Sequence, residues 1–334
     1  MSKVNVGIVG ISGYTGYELF KILRNHPKFN IAYLANSSGK NTLDEIHPSL
    51  FQVASCLIQK ADATEVAKNT QLVFLALPHQ ESMQFCKELF EQNPNIKVVD
   101  LSADYRLTQE NYEANYCPHL DSKNLKHSVY GLVEYQREKI KQAKLIANPG
   151  CYPTATLLGL LPFLPYIQSS VFIDAKSGVS GAGKKLSSNT HYPFINENIF
   201  AYNPLKHRHQ IEISEKCETL GKIKTKINFI PYLTPITTGM VVSIFASLKG
   251  SIEPLKILEQ HYKNENFIRI RKEPVNALNT KGTNFCDIFA QCNGKDLFIN
   301  TSIDNLMRGA SSQAVVNANL MFGFEETLGI PTIG

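Results

Sequence analysis

The 334-residue sequence has no C-x-x-C pair, no run of lysine or arginine and no apolar stretch long enough to cross a bilayer. Its seven cysteines are odd in number, which together with the missing pairs argues against a disulfide framework and a zinc ribbon. The net charge of +5 is scattered along the chain. We therefore expect no metal site, no membrane span and no nucleic-acid partner.

We expect no targeting segment at the start of the sequence, because a predicted strand begins at Lys3 and leaves no room for a signal peptide. An odd number of cysteines without C-x-x-C pairs suits a reducing compartment, so we expect a cytoplasmic protein. The length predicts two domains, and the mild positive charge favours small anionic ligands.

The first half begins with a strand at residues 4–9, a glycine-rich turn, a helix and a second strand at residues 30–35. Such a turn lets the backbone approach a pyrophosphate, and the helix N-terminus stabilises its charge. The glycine spacing is not G-x-G-x-x-G, and an ordinary tight turn is the alternative. The strand–turn–helix–strand context favours dinucleotide binding. The residues predicted to bind it are Gly10, Ser12, Gly13, Tyr14, Thr15 and Gly16.

The end of the second strand bears on the choice of cofactor. NAD-binding domains usually place Asp or Glu there to bind the ribose hydroxyls. This sequence has Ser37, Ser38 and Lys40 instead, and hydroxyls with one cation would accept a 2′-phosphate. A plain polar loop is the alternative. The missing acid nevertheless predicts NADP rather than NAD.

Two further predicted strands end in polar residues at the edge where ligands bind in doubly wound sheets. One runs over residues 72–77 and is followed by Pro78, which we expect beside the cofactor. The other runs over residues 97–101 and is followed by Arg106. Its guanidinium could bind a substrate anion as a bidentate fork. A solvated charge or a salt bridge with Asp104 is the alternative.

Cys151 follows a short strand and opens an apolar helix. The unpaired N–H groups and the positive dipole end of a helix start both lower the pKa of a thiol and favour the nucleophilic thiolate. A buried core cysteine is the alternative.

Residues 176–185 are rich in glycine and serine, so their backbone N–H groups could approach an anion, or they could form only a flexible connection. His207 and His209 lie nearby in sequence, and Glu212 could orient either one. Because side chains alternate on strands and diverge on helices, we expect the two imidazoles to point apart. A single histidine, with His209 preferred, then reaches Cys151. Solvated surface histidines are the alternative.

Residues 224–232 and 240–247 are predicted to be strands of an antiparallel sheet, a common dimer surface. Near the end of the chain, Asp304 and Asn305 precede a predicted helix at residues 311–322. These two residues could touch a ligand or form only a turn.

With these motifs in order, the chain resembles the N-acetyl-γ-glutamyl-phosphate reductase family of arginine biosynthesis over nearly its whole length. The resemblance is carried by residues 10–16, 100–107, 148–154, 177–183, 207–209 and 304–306. Where the family often has Arg, Pro and Ala-Gly, this chain has Lys184, Ile211 and Ser311-Ser312.

The resemblance implies NADPH, a catalytic cysteine at Cys151 and a fold shared with aspartate-semialdehyde and glyceraldehyde-phosphate dehydrogenases. That fold is α/β: a Rossmann-type doubly wound parallel sheet plus an α+β catalytic and dimerisation domain of the semialdehyde dehydrogenase type. We expect an NADP-binding domain at 1–150, a catalytic and dimerisation domain at 151–304, and a C-terminal helix at 305–334 that returns to the first domain. A homo-oligomer, dimer or tetramer, is expected.

The hypothesis is reductive dephosphorylation of N-acetyl-glutamyl 5-phosphate through a cysteine thioester. One alternative is a sister reductase of an aminoadipyl, aspartyl or carrier-linked acyl phosphate; another is a non-catalytic NADP-sensing binding protein. The predicted catalytic residues are Cys151, His209, His207 and Glu212. Beyond those of the first half, the predicted cofactor-binding residues are Ser180, Gly181 and Asn305. The predicted substrate-binding residues are Arg106, Ser177 and Lys184.

Overall fold

The computed structural model describes residues 3–168 and 170–334. The chain forms two compact units. The first unit contains the residues up to Pro149 together with Ala310–Ile330. The second unit contains Gly150–Gly309 together with Pro331–Gly334.

The first unit is built on a parallel sheet. Its central strands are continuous apolar runs, as expected of a sheet covered on both faces. The strands are β1 Val4–Val9, β2 Phe29–Asn36, β3 Gln59–Lys60, β4 Leu72–Leu75, β5 Lys97–Asp100, β6 Val129–Tyr130 and β7 Leu145–Ala147. Their order in the sheet is β3-β2-β1-β4-β5-β7-β6. The helices are α1 Tyr14–Arg24, α2 Leu43–Ile46, α3 Ala63–Asn69, α4 Glu81–Gln92, α5 Gln109–Asn115, α6 Ser122–Leu125 and α7 Val133–Gln142, with a 3-10 turn at Pro48–Leu50.

The second unit is built on a second sheet. Its strands are β8 Val171–Gly178, β9 Phe200–Ala201, β10 Ile227–Thr234, β11 Met240–Ser247, β12 Ile268–Ile270, β13 Cys286–Asn293 and β14 Asp296–Ile303. Their order in the sheet is β12-β13-β14-β11-β8-β10-β9. The helices of this unit are α8 Cys151–Leu160, α9 Tyr192–Ile195, α10 His209–Thr219 and α11 Pro254–His261, with 3-10 turns at Leu161–Tyr166, Val179–Ala182, Ser188–Thr190 and Leu278–Thr280.

The expectation of an antiparallel sheet in the second unit is wrong, because the sheet is mixed. Strands β8 and β10 pair in parallel, and so do β12 and β13. Parallel neighbours need a crossover connection. The segment between β8 and β10 contains α10, which packs against β10 and forms part of this crossover. Sequence periodicity does not predict that the chain returns in this way.

The two faces of this sheet differ in burial. Residues alternate along β8 and β11, and one face is buried beneath helices that include α8, whose residues from Tyr152 to Leu160 are all buried. On the opposite face Phe172 and Phe245 are register partners and are 56% and 50% exposed. The second unit therefore presents two exposed aromatic side chains on this sheet face, which also carries the ion pair between Asp174 and Lys176.

A last helix, α12 Ser312–Met321, follows a π-helical turn at Met307–Ser311 and belongs to the first unit. All ten of its residues are buried, and it packs against α1, α7 and β5. The Asn317 side-chain amide donates to the Gly131 carbonyl oxygen and to Asn148 Oδ1. The core of the first unit is thus completed by the end of the chain.

None of the helices in the described ranges is long and apolar enough to span a bilayer. All seven cysteines are among the described residues, and no two of them form a disulfide. The described part of the chain contains no cluster of three or more His, Cys, Asp or Glu side chains able to hold a metal ion.

Candidate active site

Cys151 is the first residue of α8, as the sequence predicts, and its N-cap is Gly150. The N-cap glycine has no side chain to cap the helix, and the first turn carries no acidic residue. Cys151 is partly exposed, whereas Cys86, Cys217 and Cys286 are buried. The thiol therefore lies at the positive end of a helix dipole, within reach of solvent.

Glu212 connects the starts of two helices in the second unit. It lies in the first turn of α10, is 2% exposed, and its Oε1 accepts a hydrogen bond of 3.0 Å from the Gly150 backbone N–H. The carboxylate thus binds the N-cap of the cysteine helix from within the first turn of the histidine helix. That Glu212 also orients an imidazole stays a prediction.

The expectation that His207 and His209 point apart is wrong. Their ring centroids are 4.8 Å apart, and the His209 backbone N–H donates to His207 Nδ1 at 3.1 Å. The strand part of that expectation is mistaken, because side chains two positions apart in an extended segment lie on the same face. Helix α10 begins at His209, so His207 lies in the turn before it, where helical rotation does not apply either. Burial, and secondarily the charge of Arg208, lower the pKa of His207 to about 4. His207 is therefore neutral at pH 7 and carries its proton on Nε2.

Two tyrosines that the sequence analysis did not identify surround these histidines. The Tyr152 ring lies edge-on to His207 and His209, with centroid distances of 5.9 and 5.8 Å. Tyr202 contacts His207 at 5.3 Å, and its hydroxyl donates to the Tyr152 hydroxyl. The position of Tyr152 directly after Cys151 was the only signal in the sequence.

Gly309 was also not identified from the sequence. It lies in the π-helical turn, and a Cβ atom there would be 2.7 Å from the Cys151 Cβ. Real Cβ atoms do not approach this closely, so only glycine fits against the cysteine. A π-helical turn beside a reactive residue is a frequent feature of functional sites.

The glycine- and serine-rich segment is more ordered than the loop we expected. Ser177 is a buried residue near the end of β8, and Val179–Ala182 forms a 3-10 turn. The Asn305 side chain donates to Ser180 Oγ at 2.9 Å and accepts from the Gly239 N–H at 2.8 Å. A Cβ at Gly181 would lie 2.8 Å from Ser177 Oγ.

Four predicted site residues, Ser177, Ser180, Gly181 and Asn305, are thus brought together in the second unit. Lys184 lies on the exposed stretch that follows. Asp304 forms a turn through its carboxylate, whose Oδ1 accepts from the N–H groups of Leu306 and Met307.

In the first unit, Gly10, Gly13 and Gly16 have different reasons to be glycine. Gly10 has φ +100°, and a Cβ there would lie 2.2 Å from the Ala76 carbonyl oxygen. A Cβ at Gly16 would lie 2.3 Å from the Gly10 carbonyl oxygen, so the fold itself requires these two. The nearest atom to a Cβ at Gly13 is that same oxygen, at an ordinary 3.6 Å. The open space at Gly13 fits the close approach of a ligand.

Gly13 is also the N-cap of α1, so it offers the helix no side-chain cap, and the first turn has no acidic residue. Tyr14 and Thr15 are the first two helical residues, and Tyr14 is exposed. The hydroxyl of Ser311 donates to the Thr15 carbonyl oxygen at 2.9 Å. A phosphate would find unpaired backbone N–H groups and a positive dipole here.

The end of β2 is arranged around Asn36. Its Oδ1 accepts from the backbone N–H groups of Ser38 and Gly39, and its Nδ2 donates to Ser12 Oγ at 3.1 Å. Asn36 thus ties the predicted 2′-phosphate residues to the glycine-rich turn. Ser37, Ser38 and Lys40 are exposed. The residues of the first unit fit a dinucleotide.

Pro78 is exposed just beyond the end of β4, the strand that pairs with β1.

Arg106 is only 6% exposed, so the alternative of a solvated charge is wrong. Its Nε donates to the Asn148 carbonyl oxygen at 2.8 Å and one terminal nitrogen donates to the Leu101 carbonyl oxygen at 2.7 Å. The guanidinium is therefore fixed at the carboxyl ends of β5 and β7. Asp104 accepts from the N–H groups of Gln80 and Met83 at the start of α4.

Two family models match this chain. The semialdehyde dehydrogenase NAD binding domain matches residues 5–143, and the semialdehyde dehydrogenase dimerisation domain matches residues 151–305. The fold also resembles aspartate semialdehyde dehydrogenase II of Vibrio cholerae, with TM-score 0.72 and 16% identity over 97% of this chain and 99% of that chain. The enzyme of Candida albicans, solved with NADP, gives 0.71 and 14% over 96% and 99%. At these identities the likeness shows the fold alone, and it confirms the predicted fold class.

Sequence relatives are much closer. The chain is 59% identical to N-acetyl-gamma-glutamyl-phosphate reductase of Wolinella succinogenes over 99% of this chain and 98% of the relative. It is 57% identical to the protein of the same name from a Sulfurovum species, with the same coverage, and 39% identical to that of Methanocaldococcus jannaschii over 98% of both. These matches confirm the resemblance seen in the motifs, and the chain belongs to the N-acetyl-γ-glutamyl-phosphate reductase family.

Proposed function

We propose that this chain is an NADPH-dependent reductase that converts N-acetyl-glutamyl 5-phosphate to N-acetylglutamate 5-semialdehyde in arginine biosynthesis. The relatives' names support the reaction. The observation that carries the proposal is the position of Cys151, partly exposed at a helix start whose N-cap is bound by a residue from the first turn of the histidine helix.

The first half of the reaction is acyl transfer to sulfur. The Cys151 thiolate attacks the acyl carbon, a C–S bond forms, the C–O bond to phosphate breaks and inorganic phosphate leaves. The helix N-terminus stabilises the thiolate. Arg106, Ser177 and Lys184 are proposed to hold the carboxylate and phosphate of the substrate, since each offers a donor for an anion.

The first unit is proposed to hold NADP(H). The open space at Gly13 and the uncapped start of α1 fit a pyrophosphate, and Ser37, Ser38 and Lys40 fit a 2′-phosphate. When bound, NADPH supplies the hydride that reduces the thioester carbon. The remaining proposed cofactor residues are Ser12, Tyr14, Thr15, Pro78, Ser180, Gly181 and Asn305.

The second half of the reaction is collapse of the thiohemiacetal that Cys151 then carries. Its C–S bond breaks, the hydroxyl proton is removed, and the aldehyde leaves while sulfur regains a proton. We assign this proton to His209, because His207 is neutral with its Nδ1 already occupied by the His209 N–H. His207 would act as an uncharged donor through Nε2.

Two measurements test the proposal. NADPH oxidation with N-acetyl-glutamyl phosphate should proceed faster than with aspartyl or aminoadipyl phosphate; a preference for either of those would assign a different substrate. In stopped-flow mixing without NADPH, the wild type should release about one phosphate per active site and Cys151→Ser none. A full phosphate burst from Cys151→Ser would exclude the thioester.

The cofactor preference has its own test. A charged hydrogen bond to phosphate contributes about 1.5–3 kcal/mol, or about tenfold to a hundredfold in affinity. Lys40→Gln should weaken NADPH binding within that range and leave NADH binding unchanged. Equal affinities of the wild type for both nucleotides would refute the NADP preference.

The second unit is proposed to join two copies of the chain through its exposed sheet face, giving a dimer or a tetramer. The matched dimerisation model and the exposed Phe172 and Phe245 support this. The odd number of cysteines and the biosynthetic relatives support a cytoplasmic location.

A further inference from the structure

Tyr152 occupies a central place in the second unit. Its ring lies edge-on to three other rings: His207 at 5.9 Å, His209 at 5.8 Å and Phe229 at 5.3 Å. It is 3% exposed. Because it directly follows Cys151, the backbone that carries the sulfur also carries the ring against which both imidazoles pack.

The hydroxyl of Tyr152 is held from two sides. It donates to the Tyr232 carbonyl oxygen on β10 at 3.0 Å, and it accepts from the Tyr202 hydroxyl at 3.2 Å. The Tyr152 ring is attached to the backbone at one end and hydrogen-bonded through its hydroxyl at the other. These bonds therefore restrict its orientation. Burial raises the pKa of Tyr152, so its hydroxyl keeps its proton and does not serve as a general base.

The two histidines contact each other as well as this ring. The His209 N–H donates to His207 Nδ1, and the rings themselves are 4.8 Å apart. His207 is further confined by Tyr202 and Phe229. A displacement of the Tyr152 ring would therefore move both imidazoles relative to the first residue of α8.

We propose that Tyr152 is a positioning residue that aligns His209 with the Cys151 sulfur, and that the Tyr202–Tyr152–Tyr232 hydrogen bonds set its orientation. The proposal rests on the assignment of Cys151 and His209 given above. A misalignment of about 1 Å between reacting groups lowers rates by about a hundredfold, so a residue with no chemical step can control kcat.

Tyr262 offers a matched control in the same unit. Its hydroxyl donates to the Leu158 carbonyl oxygen of α8 at 2.6 Å, its ring lies edge-on to His261 at 4.7 Å, and it is 5% exposed. Tyr262 is thus a second buried tyrosine that donates to a carbonyl oxygen and packs against a histidine, but it contacts α8 at Leu158, seven residues after the nucleophile.

The experiment compares Tyr152→Phe and Tyr152→Leu with Tyr262→Phe and Tyr262→Leu. We expect kcat to fall about tenfold in Tyr152→Phe and about a hundredfold in Tyr152→Leu, with KM within twofold. Both Tyr262 variants should lose thermal stability but keep kcat within twofold. If Tyr152→Leu does not fold, the two phenylalanine variants decide the outcome.

Histidine NMR of the same variants gives a readout independent of activity. The His207 and His209 ring resonances should shift in Tyr152→Phe and not in Tyr262→Phe. Equal losses of kcat in both phenylalanine variants, or unshifted histidine resonances in Tyr152→Phe, would overturn the inference. If wild-type protein has no reductase activity, or Cys151→Ser keeps it, the proposed function fails instead.

Discussion

The contact between Gly309 and Cys151 leaves no space for a single methyl group. A Cβ at Gly309 would lie 2.7 Å from the Cys151 Cβ and 3.2 Å from its Cα, so one of the two backbones must move. We predict that Gly309→Ala lowers kcat about tenfold to a hundredfold by displacing the sulfur. Gly250→Ala, where nothing lies within 4 Å, is the control and should keep full activity in the same steady-state assay.

Substitutions of the two histidines are expected to change different kinetic constants. His209→Asn should lower kcat by about 10²–10⁴-fold with a modest change in KM, as removal of an acid–base group does. His207→Asn should mainly raise KM, because a neutral residue next to the site can hold substrate without moving its proton. Near-normal kcat in both variants would place the proton transfer on another group.

The pKa of His207 also predicts a dependence of stability on pH. Its folded pKa is about 4 and its ordinary value is 6.5, so between these values the unfolded chain binds more protons. The free energy of unfolding should therefore fall as pH drops from 6.5 towards 4, by less than about 1.4 kcal/mol per pH unit. Urea denaturation should show a shallower fall in His207→Gln; an identical slope would mean that His207 titrates normally.

Two glycines at the start of α1 are expected to have different roles, one in nucleotide binding and one in the stability of the fold. We predict that Gly13→Ala keeps the melting temperature, since its Cβ has an ordinary contact, but weakens NADPH binding at least tenfold. Gly16→Ala should instead unfold the first unit, because its Cβ would meet the Gly10 carbonyl oxygen at 2.3 Å. Calorimetry and nucleotide titration of the two variants test this prediction. Normal NADPH affinity in Gly13→Ala would contradict pyrophosphate binding at the start of α1.

At the level of elements, the local parts of the site could be predicted and the distant ones could not. The glycine-rich turn and the helix beginning at Cys151 follow from neighbouring residues. The contact between Tyr152 and His207 joins residues that are far apart in the chain. The hydrophobic periodicity of the sequence does not predict such a contact. The expected divergence of the imidazoles failed because His207 precedes the helix, and because residues two positions apart in an extended segment share a face. The expected antiparallel sheet failed because α10 returns the chain for a parallel pairing.

At the level of the whole molecule, the exposed sheet face of the second unit predicts self-association. Phe172 and Phe245 are paired in register, and the Phe245 ring is 5.2 Å from that of Phe298. Apolar patches of this kind mark interfaces. Phe245→Lys should convert the oligomer to smaller species in sedimentation velocity without loss of secondary structure. Leu120→Lys, at an exposed site in the first unit, should leave the sedimentation coefficient unchanged.

The burial of α12 in the first unit has a consequence for how the protein is made. Residues up to Pro149 leave the ribosome before the helix that completes their core exists, because Ala310–Ile330 is translated only after the whole of Gly150–Gly309. At about 5–20 residues per second, the wait lasts roughly ten to forty seconds. During that time the apolar surfaces of α1, α7 and β5 that α12 will cover stay open to water and to chaperones. The first unit can therefore complete its core only after the whole of Gly150–Gly309 has been synthesised.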